Sequence, residues 1–321
     1  MIQPLLKYLQ PLGFLGLGFL LLFLALKGIN LDDLIKGLHI IPFKWVFLSM
    51  LFGYLAFVFR GLRWYLLIKP LGFKPKAFDL INAIAFGYLF NSFIPRSGEI
   101  ARCTALNKVS NIPVSKLFGH VILERVIDFI LLAICIMLSI LLNYKDFMHF
   151  ATIFSMPKQA VLYILISILV VFAVYRVIKH LLSASQLNKI FSFFQGIKSG
   201  FLSIRSMPNK FLFGVYTLLI WVCYLLMTIV CFYCFSETKD LNLGQGLFIM
   251  VAGGLGMVVP TPTGIGSYHY LVIQALMALN ITREVSQLFA IIVHSSQALM
   301  IIIAGFFAMI FLYRQKHIKQ I

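Results

Sequence analysis

Long apolar runs separated by short polar connections dominate the chain. A membrane-spanning helix needs about 20 apolar residues. Runs of this kind predict spans near 11–27, 43–60, 117–142, 159–178, 211–235 and 285–312. Two further apolar segments are interrupted, 77–94 by Pro95 and 244–259 by the proline-rich stretch 260–264. Because proline cannot continue a helix, we expect both segments to bend there. The pattern predicts an all-α, polytopic helical bundle in a membrane.

Composition supports a membrane protein and excludes a nucleic-acid-binding one. Of the 321 residues, 61% are hydrophobic and 12% are charged, whereas charged residues make up about 25% of ordinary soluble domains. The formal net charge is +17. These cations lie mostly in short connections, where they orient helices and attract anionic lipids. No basic soluble domain is present to bind nucleic acid.

The positive charges also predict how the chain crosses the membrane. The connections 60–76 and 176–210 and the tail 313–321 are rich in Lys and Arg and contain no acid. We expect these three to be cytoplasmic. The connections 28–42 and 236–243 carry few positive charges and should face outside. This arrangement predicts a multi-pass protein of the cell inner (cytoplasmic) membrane with both termini in the cytoplasm.

The same orientation predicts an internal repeat. Segment 77–116 must begin and end on the cytoplasmic side, and 244–284 must begin and end outside. Each is therefore a re-entrant hairpin or a pair of spans. Within one membrane domain, 1–321, the repeats 11–142 and 159–312 then match with opposite orientation, offset by 168 residues (211 − 43 and 285 − 117). This is the pattern of an inverted-topology repeat.

The connection between the repeats predicts an amphipathic helix. Within 180–210, apolar residues recur at helical spacing among lysines and arginines. They are Leu187, Ile190, Phe191, Phe194, Ile197, Phe201 and Ile204. Such a helix lies on a membrane surface, here the cytoplasmic one. The alternative is an ordinary connection with a helix packed on the core.

The two interruptions predict a substrate-binding site. Broken backbone within a membrane is tolerated where protein buries it or water reaches it, and paired breaks mark binding sites near the midplane. The free N–H groups of a broken helix also favour an anion. Candidate residues at the breaks are Asn91, Pro95, Gly98, Pro260, Pro262, Gly264, Gly266 and His269. The alternative for the glycines is close helix packing.

Charged residues accompany the first break and the span that follows it. They are Arg96, Glu99, Arg102, Glu124, Arg125 and Asp128. Ionisable groups in a span cost about 2.5–3.5 kcal/mol each, so they should face inward and find partners. We expect Arg96 or Arg102 to pair with Glu124 or Asp128, and Glu99 with Arg125. The cluster either joins the hairpin to the helix or leaves an arginine to bind phosphate.

The second half offers a weaker counterpart of this cluster. Its last span carries His294 and Ser296, and the offset of 168 places Ser296 opposite Asp128. Each histidine alone is a packing residue more often than a ligand. Cys231 and Cys234 form a CxxC inside an apolar span, without a second pair or a histidine. We therefore expect no metal site, no cofactor and no catalytic residue.

Four motifs together resemble a known family. They are RGLRW (60–64), NSFIPRSGEIAR (91–102), ERVID (124–128) and VVPTPTGIGSYH (258–269). In combination they resemble the transmembrane region of lysylphosphatidylglycerol synthases, also called the flippase-like domain. The resemblance runs over roughly 10–312. It implies inverted repeats around a central cavity, and a domain that moves aminoacylated or other phospholipids between leaflets.

The sequence departs from this family in two respects. The full synthases carry a soluble aminoacyl-transferase domain after the membrane part, whereas this sequence ends at Ile321. We therefore expect no lysyl-transfer activity. Family members often have a glutamate shortly after the second break, where Ser267, Tyr268 and His269 stand here. Two alternatives to a flippase remain: a non-catalytic partner of a separate membrane or cytoplasmic transferase, and a membrane-embedded lipid-modifying enzyme.

Overall fold

The computed structural model describes residues 16, 19–27, 41–152 and 184–318. Residues 19–26 are helical. The helices that follow are α1 (Phe43–Ile68), α2 (Ala77–Phe93), α3 (Gly98–Ser110), α4 (Val114–Leu142), α5 (Tyr144–Thr152), α6 (Ala184–Leu202), α7 (Lys210–Ile229), α8 (Leu243–Val258), α9 (Ser267–Ala278) and α10 (Arg283–Ile318). The described part of the chain contains no strand. The predicted all-α class is confirmed.

Four helical segments are long and apolar enough to cross a membrane. They are Phe43–Leu71, Val114–Leu142, Lys210–Cys234 and Arg283–Gln315. They confirm the predicted spans near 43–60, 117–142, 211–235 and 285–312. Of the other two predicted spans, 11–27 is described only in part and 159–178 lies outside the described residues.

The connection predicted for 60–76 begins later than predicted, so its first bound is wrong. Helix α1 continues to Ile68, so Arg60 and Arg63 are helical residues and not loop residues. Both side chains are buried, Arg63 completely. An arginine can continue an apolar helix when a carboxylate from a neighbouring helix neutralises it, and Asp128 does so here.

Both interrupted segments are helical hairpins. Helices α2 and α3 flank the first break, and α8 and α9 flank the second. The four helices have 17, 13, 16 and 12 residues, fewer than the ~20 that a crossing requires. These lengths favour re-entrant hairpins. Prolines cause the breaks, because they lack the N–H that the next turn needs.

The hairpin of each half packs against the other half of the chain. Helix α1 packs along α7, while the first hairpin's α2 packs along α10 and the second hairpin's α8 packs along α4. Gly305 of α10 allows one of these contacts, since a Cβ there would overlap Leu89 and the Ala85 carbonyl. Each hairpin is thereby held by the last long helix of the other half.

Unusual backbone angles recur at the repeat distance. Among the described non-glycine residues, those with positive φ are Arg96 (63°), Asn111 (56°), Thr263 (50°) and Asn280 (63°). Arg96 and Thr263 each lie in a break and differ by 167 positions (263 − 96). Asn111 and Asn280 follow α3 and α9 and differ by 169 (280 − 111). Because non-glycine residues rarely adopt this conformation, the coincidence supports an internal repeat. The opposite orientation of the halves stays a prediction.

Helix α6 lies against α4 through glycines. A Cβ on Gly200 would overlap the Lys116 carbonyl, and a Cβ on Gly119 would overlap the Ile197 carbonyl. On its described part, Phe191 and Phe194 are exposed. The helix predicted within 180–210 is confirmed over 184–202. Its position on the cytoplasmic membrane surface stays a prediction.

Candidate functional site

A buried ion pair joins α3 of the first hairpin to α4. Arg102 Nη2 donates to Glu124 Oε2 across 2.7 Å. The Arg102 side chain is 6% exposed and that of Glu124 1%. The guanidinium also lies 4.7 Å from the centre of the Trp64 ring, a cation–π contact. The predicted pairing of Arg102 with Glu124 is confirmed.

A second ion pair joins α4 to α1. Asp128 accepts from Arg60 Nη2 at 2.9 Å, and from Nη1 and Nη2 of Arg63 at 3.1 Å. Arg60 Nε donates in addition to Tyr224 of α7, at 2.8 Å. Of the two carboxylates that the prediction offered to Arg96 or Arg102, Glu124 is the one used, and Asp128 pairs with Arg60 and Arg63. The motif RGLRW carried the missing signal, because arginines three positions apart share one helix face.

The third ion pair is more exposed than the other two. Arg125 Nη2 donates to Glu99 Oε1 across 2.6 Å, as the sequence predicts. The Arg125 side chain is 36% exposed and that of Glu99 15%. This pair lies at the start of α3, next to the first break.

Arg96 connects the two breaks. Its Nη2 donates to the Val258 carbonyl, the last residue of α8, across 2.6 Å. Arg96 is exposed and forms no salt bridge with any described residue. Beside it, Asn91 accepts from the Gly98 N–H at 2.8 Å, which ties the end of α2 to the start of α3. In the sequence, Pro95 lies between Asn91 and Gly98, the two residues that this bond joins.

Neutral side chains hold the second break, which includes Pro260, Pro262, Gly264 and Gly266 in the stretch 259–266. Ser267 Oγ donates to the Gly256 carbonyl at 2.8 Å. His294 Nε2 lies 3.0 Å from the Thr263 carbonyl. His269 Nδ1 accepts from the Gly266 N–H at 3.3 Å. Both histidines thus contact backbone groups of the break.

The charged pairs of the first half have neutral counterparts in the second. Helices α4 and α10 begin 169 positions apart (283 − 114). At this offset the Glu99–Arg125 ion pair corresponds to Tyr268 and His294, whose rings stack at 5.0 Å. The ion pair between α3 and α4 thus has an aromatic contact between α9 and α10 in the corresponding place.

The buried ion pairs, Arg102 with Glu124 and Asp128 with two arginines of α1, also have neutral counterparts in the second half. Arg102 and Glu124 correspond to Leu271 and Val293, members of one apolar core cluster. Asp128 corresponds to Gln297, which donates to Ser49 Oγ at 2.9 Å. The starts of the two helices give an offset of 169, which places Gln297 opposite Asp128, whereas the offset of 168 places Ser296 there; the correspondence stays a prediction.

Positive charge is in excess around the first break. Arginines 60, 63, 96, 102 and 125 accompany three carboxylates, those of residues 99, 124 and 128. Asp128 alone neutralises Arg60 and Arg63, while Arg96 has no carboxylate among the described residues. Such an excess favours an anionic ligand, and guanidinium groups suit phosphate. The exposed members are Arg96 and, in part, Arg125.

Sequence analysis also missed His120. It lies one turn before Glu124 on α4 and is fully buried. The signal was the spacing of four between His120 and Glu124, which places both on one helix face.

Comparison with known proteins places these residues in a family context. The family model described as the lysylphosphatidylglycerol synthase TM region matches residues 12–305. The UPF0104 membrane protein MJ1595 of Methanocaldococcus jannaschii is 23% identical, over 93% of this chain and 94% of that protein. No solved structure matches the chain.

Proposed function

Because the chain belongs to the family of the lysylphosphatidylglycerol synthase transmembrane region, we propose that it moves phospholipids between the leaflets of its membrane. The lipid phosphate would bind at the junction of the two breaks, near Arg96. The substrate class is an anionic, zwitterionic or aminoacylated phospholipid, and the activity is transport without lipid modification. Both termini lie in the cytoplasm, and the membrane is the cytoplasmic one.

The observation that supports the proposal most is the position of Arg96. It is exposed, carries no carboxylate partner among the described residues, and donates to the carbonyl that ends α8. A guanidinium has five N–H donors, so one bond to a carbonyl leaves donors for a phosphate. The site therefore combines a free positive charge with the end of a helix from each half.

The buried ion pairs support the site without binding the lipid. The side chains of Arg102, Glu124 and Arg63 are nearly inaccessible, at 6%, 1% and 0% exposure. They attach the first hairpin and α1 to α4. Burying charges is costly unless they are paired, which explains why each buried arginine contacts a carboxylate. Their role in the proposal is to fix the position of the break.

The proposed orientation gives each break access from its own side. The first hairpin enters from the cytoplasm and the second from outside, in agreement with the charge distribution of the connections. A headgroup bound at Arg96 would then lie between the first hairpin and the second hairpin. Movement of one hairpin relative to the other would open the site to one leaflet at a time, as in other inverted-repeat transporters.

Leaflet exchange in liposomes tests the proposal. The purified protein is reconstituted with fluorescent phosphatidylglycerol, phosphatidylcholine or lysylphosphatidylglycerol, and a membrane-impermeant quencher reports the label remaining in the inner leaflet. We expect faster loss of protected label than in empty liposomes for at least one lipid. Arg96→Gln should slow exchange of phosphatidylglycerol about tenfold, the effect of losing roughly 1.4 kcal/mol of headgroup binding.

The matched control is Arg205→Gln, which removes an exposed arginine between α6 and α7. It should exchange lipid at the wild-type rate. Rates equal to empty liposomes for all three lipids would exclude the transport function. Exchange by Arg96→Gln at the wild-type rate would exclude the proposed site.

A further inference from the structure

A groove opens on the surface between α1, α2 and α10. Its volume is about 540 Å³, within the ~300–1,000 Å³ typical of ligand sites. Apolar side chains dominate the lining, among them Met50, Phe78, Ile81, Met300, Phe307 and Ile310. The groove lies on the hairpin helix α2 and the last long helix, away from the ion pairs.

Small residues form the floor of this groove. Ala85 of α2 and Ala304 of α10 line it where larger side chains would fill it. Gly305 brings the two helices close together, because its Cα lies against Leu89. Near one end the rings of Phe78 and Phe311 contact edge to face at 4.6 Å. The groove thus results from the packing of α2 on α10.

The groove has the length of an acyl chain. Met300 and Arg314 line it and are separated by 14 positions of α10, which corresponds to ~21 Å along a helix. One leaflet of hydrocarbon is ~15 Å thick. A fatty acyl chain of ordinary length can therefore lie along the groove from the membrane surface to the bilayer centre.

One positive charge, that of Arg314, lies in the lining of the groove. Arg314 is exposed and is the charged member of the described lining, which contains no acid. The other polar lining residues are Tyr54 and Asn82, and the Asn82 amide already donates to the Phe78 carbonyl at 2.8 Å. A guanidinium at the end of an apolar groove is complementary to a phosphate attached to an acyl chain.

We propose that this groove binds an anionic phospholipid, with one acyl chain between α2 and α10 and the phosphate on Arg314. The site is separate from the one proposed at Arg96. It requires no transport, since a bound lipid would also fix the first hairpin against α10. In the predicted orientation it takes its lipid from the cytoplasmic leaflet.

Native mass spectrometry of the full chain in detergent tests the site. The protein is titrated with phosphatidylglycerol and phosphatidylcholine carrying identical acyl chains. We expect wild type to bind phosphatidylglycerol about fivefold more tightly, as about 1 kcal/mol per basic residue near a lipid surface implies. Arg314→Gln should remove this preference, and Ala304→Trp should weaken both lipids several-fold by filling the groove.

Two controls separate the groove from general effects. Arg205→Gln removes an exposed arginine outside the groove, and Ala133→Trp adds a tryptophan on the exposed side of α4. Both should bind as wild type does. Equal binding of the two lipids by wild type, or an unchanged preference in Arg314→Gln, would overturn the proposal. Because binding is measured without leaflets, its failure is distinguishable from a failure of lipid exchange.

Discussion

The guanidinium of Arg96 donates to the carbonyl of Val258, 162 residues further along the chain, across 2.6 Å and thereby joins the two helix breaks. One break belongs to each half of the chain. A carbonyl at a helix C-terminus carries partial negative charge, which explains why an arginine without a carboxylate partner is stable there. The same bond places the free positive charge of the first half beside the neutral break of the second.

Removing the charge of Asp128 should destabilise the protein. Asp128→Asn leaves Arg60 and Arg63 buried with no carboxylate partner. Breaking a buried ion pair from one side costs about 3–5 kcal/mol. We expect a clearly lower midpoint in thermal unfolding of the detergent-solubilised protein. Asp240→Asn, which neutralises an exposed acid in a connection, is the matched control. Equal midpoints for the two variants would show that the pairs with Asp128 contribute little.

Close backbone contact at Gly98 should make the first hairpin intolerant of side chains. A Cβ at this position would overlap the Gly87 carbonyl and approach Asn91 Cγ to 2.7 Å. Gly98→Ala should therefore destabilise the protein by about 1–3 kcal/mol. Gly214→Ala is the control, because nothing lies within 4 Å of a Cβ there. Because Gly214 lies inside helix α7, beyond its first turn, this substitution should stabilise the protein by about 0.5–1 kcal/mol. Unfolding in a chaotrope series measures both, and changes of the same sign would contradict the packing of α2 on α3.

Arg125 should matter more for lipid exchange than for stability. The second half carries His294 at the equivalent position, and Arg125→His copies it. The Glu99–Arg125 pair is partly exposed, so its loss should cost less than about 1 kcal/mol of stability. At about pH 8 a histidine is largely neutral, and exchange of phosphatidylglycerol should fall several-fold. Unchanged exchange, with the midpoint of unfolding also unchanged, would show that the charge of Arg125 contributes nothing to lipid exchange.

Local patterns were sufficient to predict most of the fold. Apolar length predicts the four described spans, and the prolines at 95 and 260 predict both breaks. The pairs Arg102–Glu124 and Glu99–Arg125 were predictable, because few acids are available near the apolar spans to neutralise these arginines. In each case the physical constraint, hydrocarbon thickness or the cost of an unpaired charge, acts on the sequence directly.

Contacts that depend on tertiary packing could not be predicted in this way. Counting Arg60 and Arg63 as loop charges follows from a rule that treats every arginine alike, whereas Asp128 allows α1 to continue past them. The partner of Arg96 is a backbone carbonyl. Every residue has a carbonyl, so no residue type marks this acceptor in the sequence. The offset between the halves differs along the chain, from 167 at the start of α7 (210 − 43) to 169 at the start of α10 (283 − 114), so one offset does not identify the counterpart of Asp128.

Opposite orientation of the two halves is the central claim, because it brings the breaks to the same site from the two sides of the membrane. Lys74→Cys and Lys239→Cys place single exposed cysteines in the connections that precede α2 and α8. The five native cysteines are free and buried, so the parent protein controls for background labelling. A membrane-impermeant maleimide should label Lys239→Cys only in intact cells, and Lys74→Cys only in inverted vesicles. Labelling of both from the same side would contradict the inverted repeat.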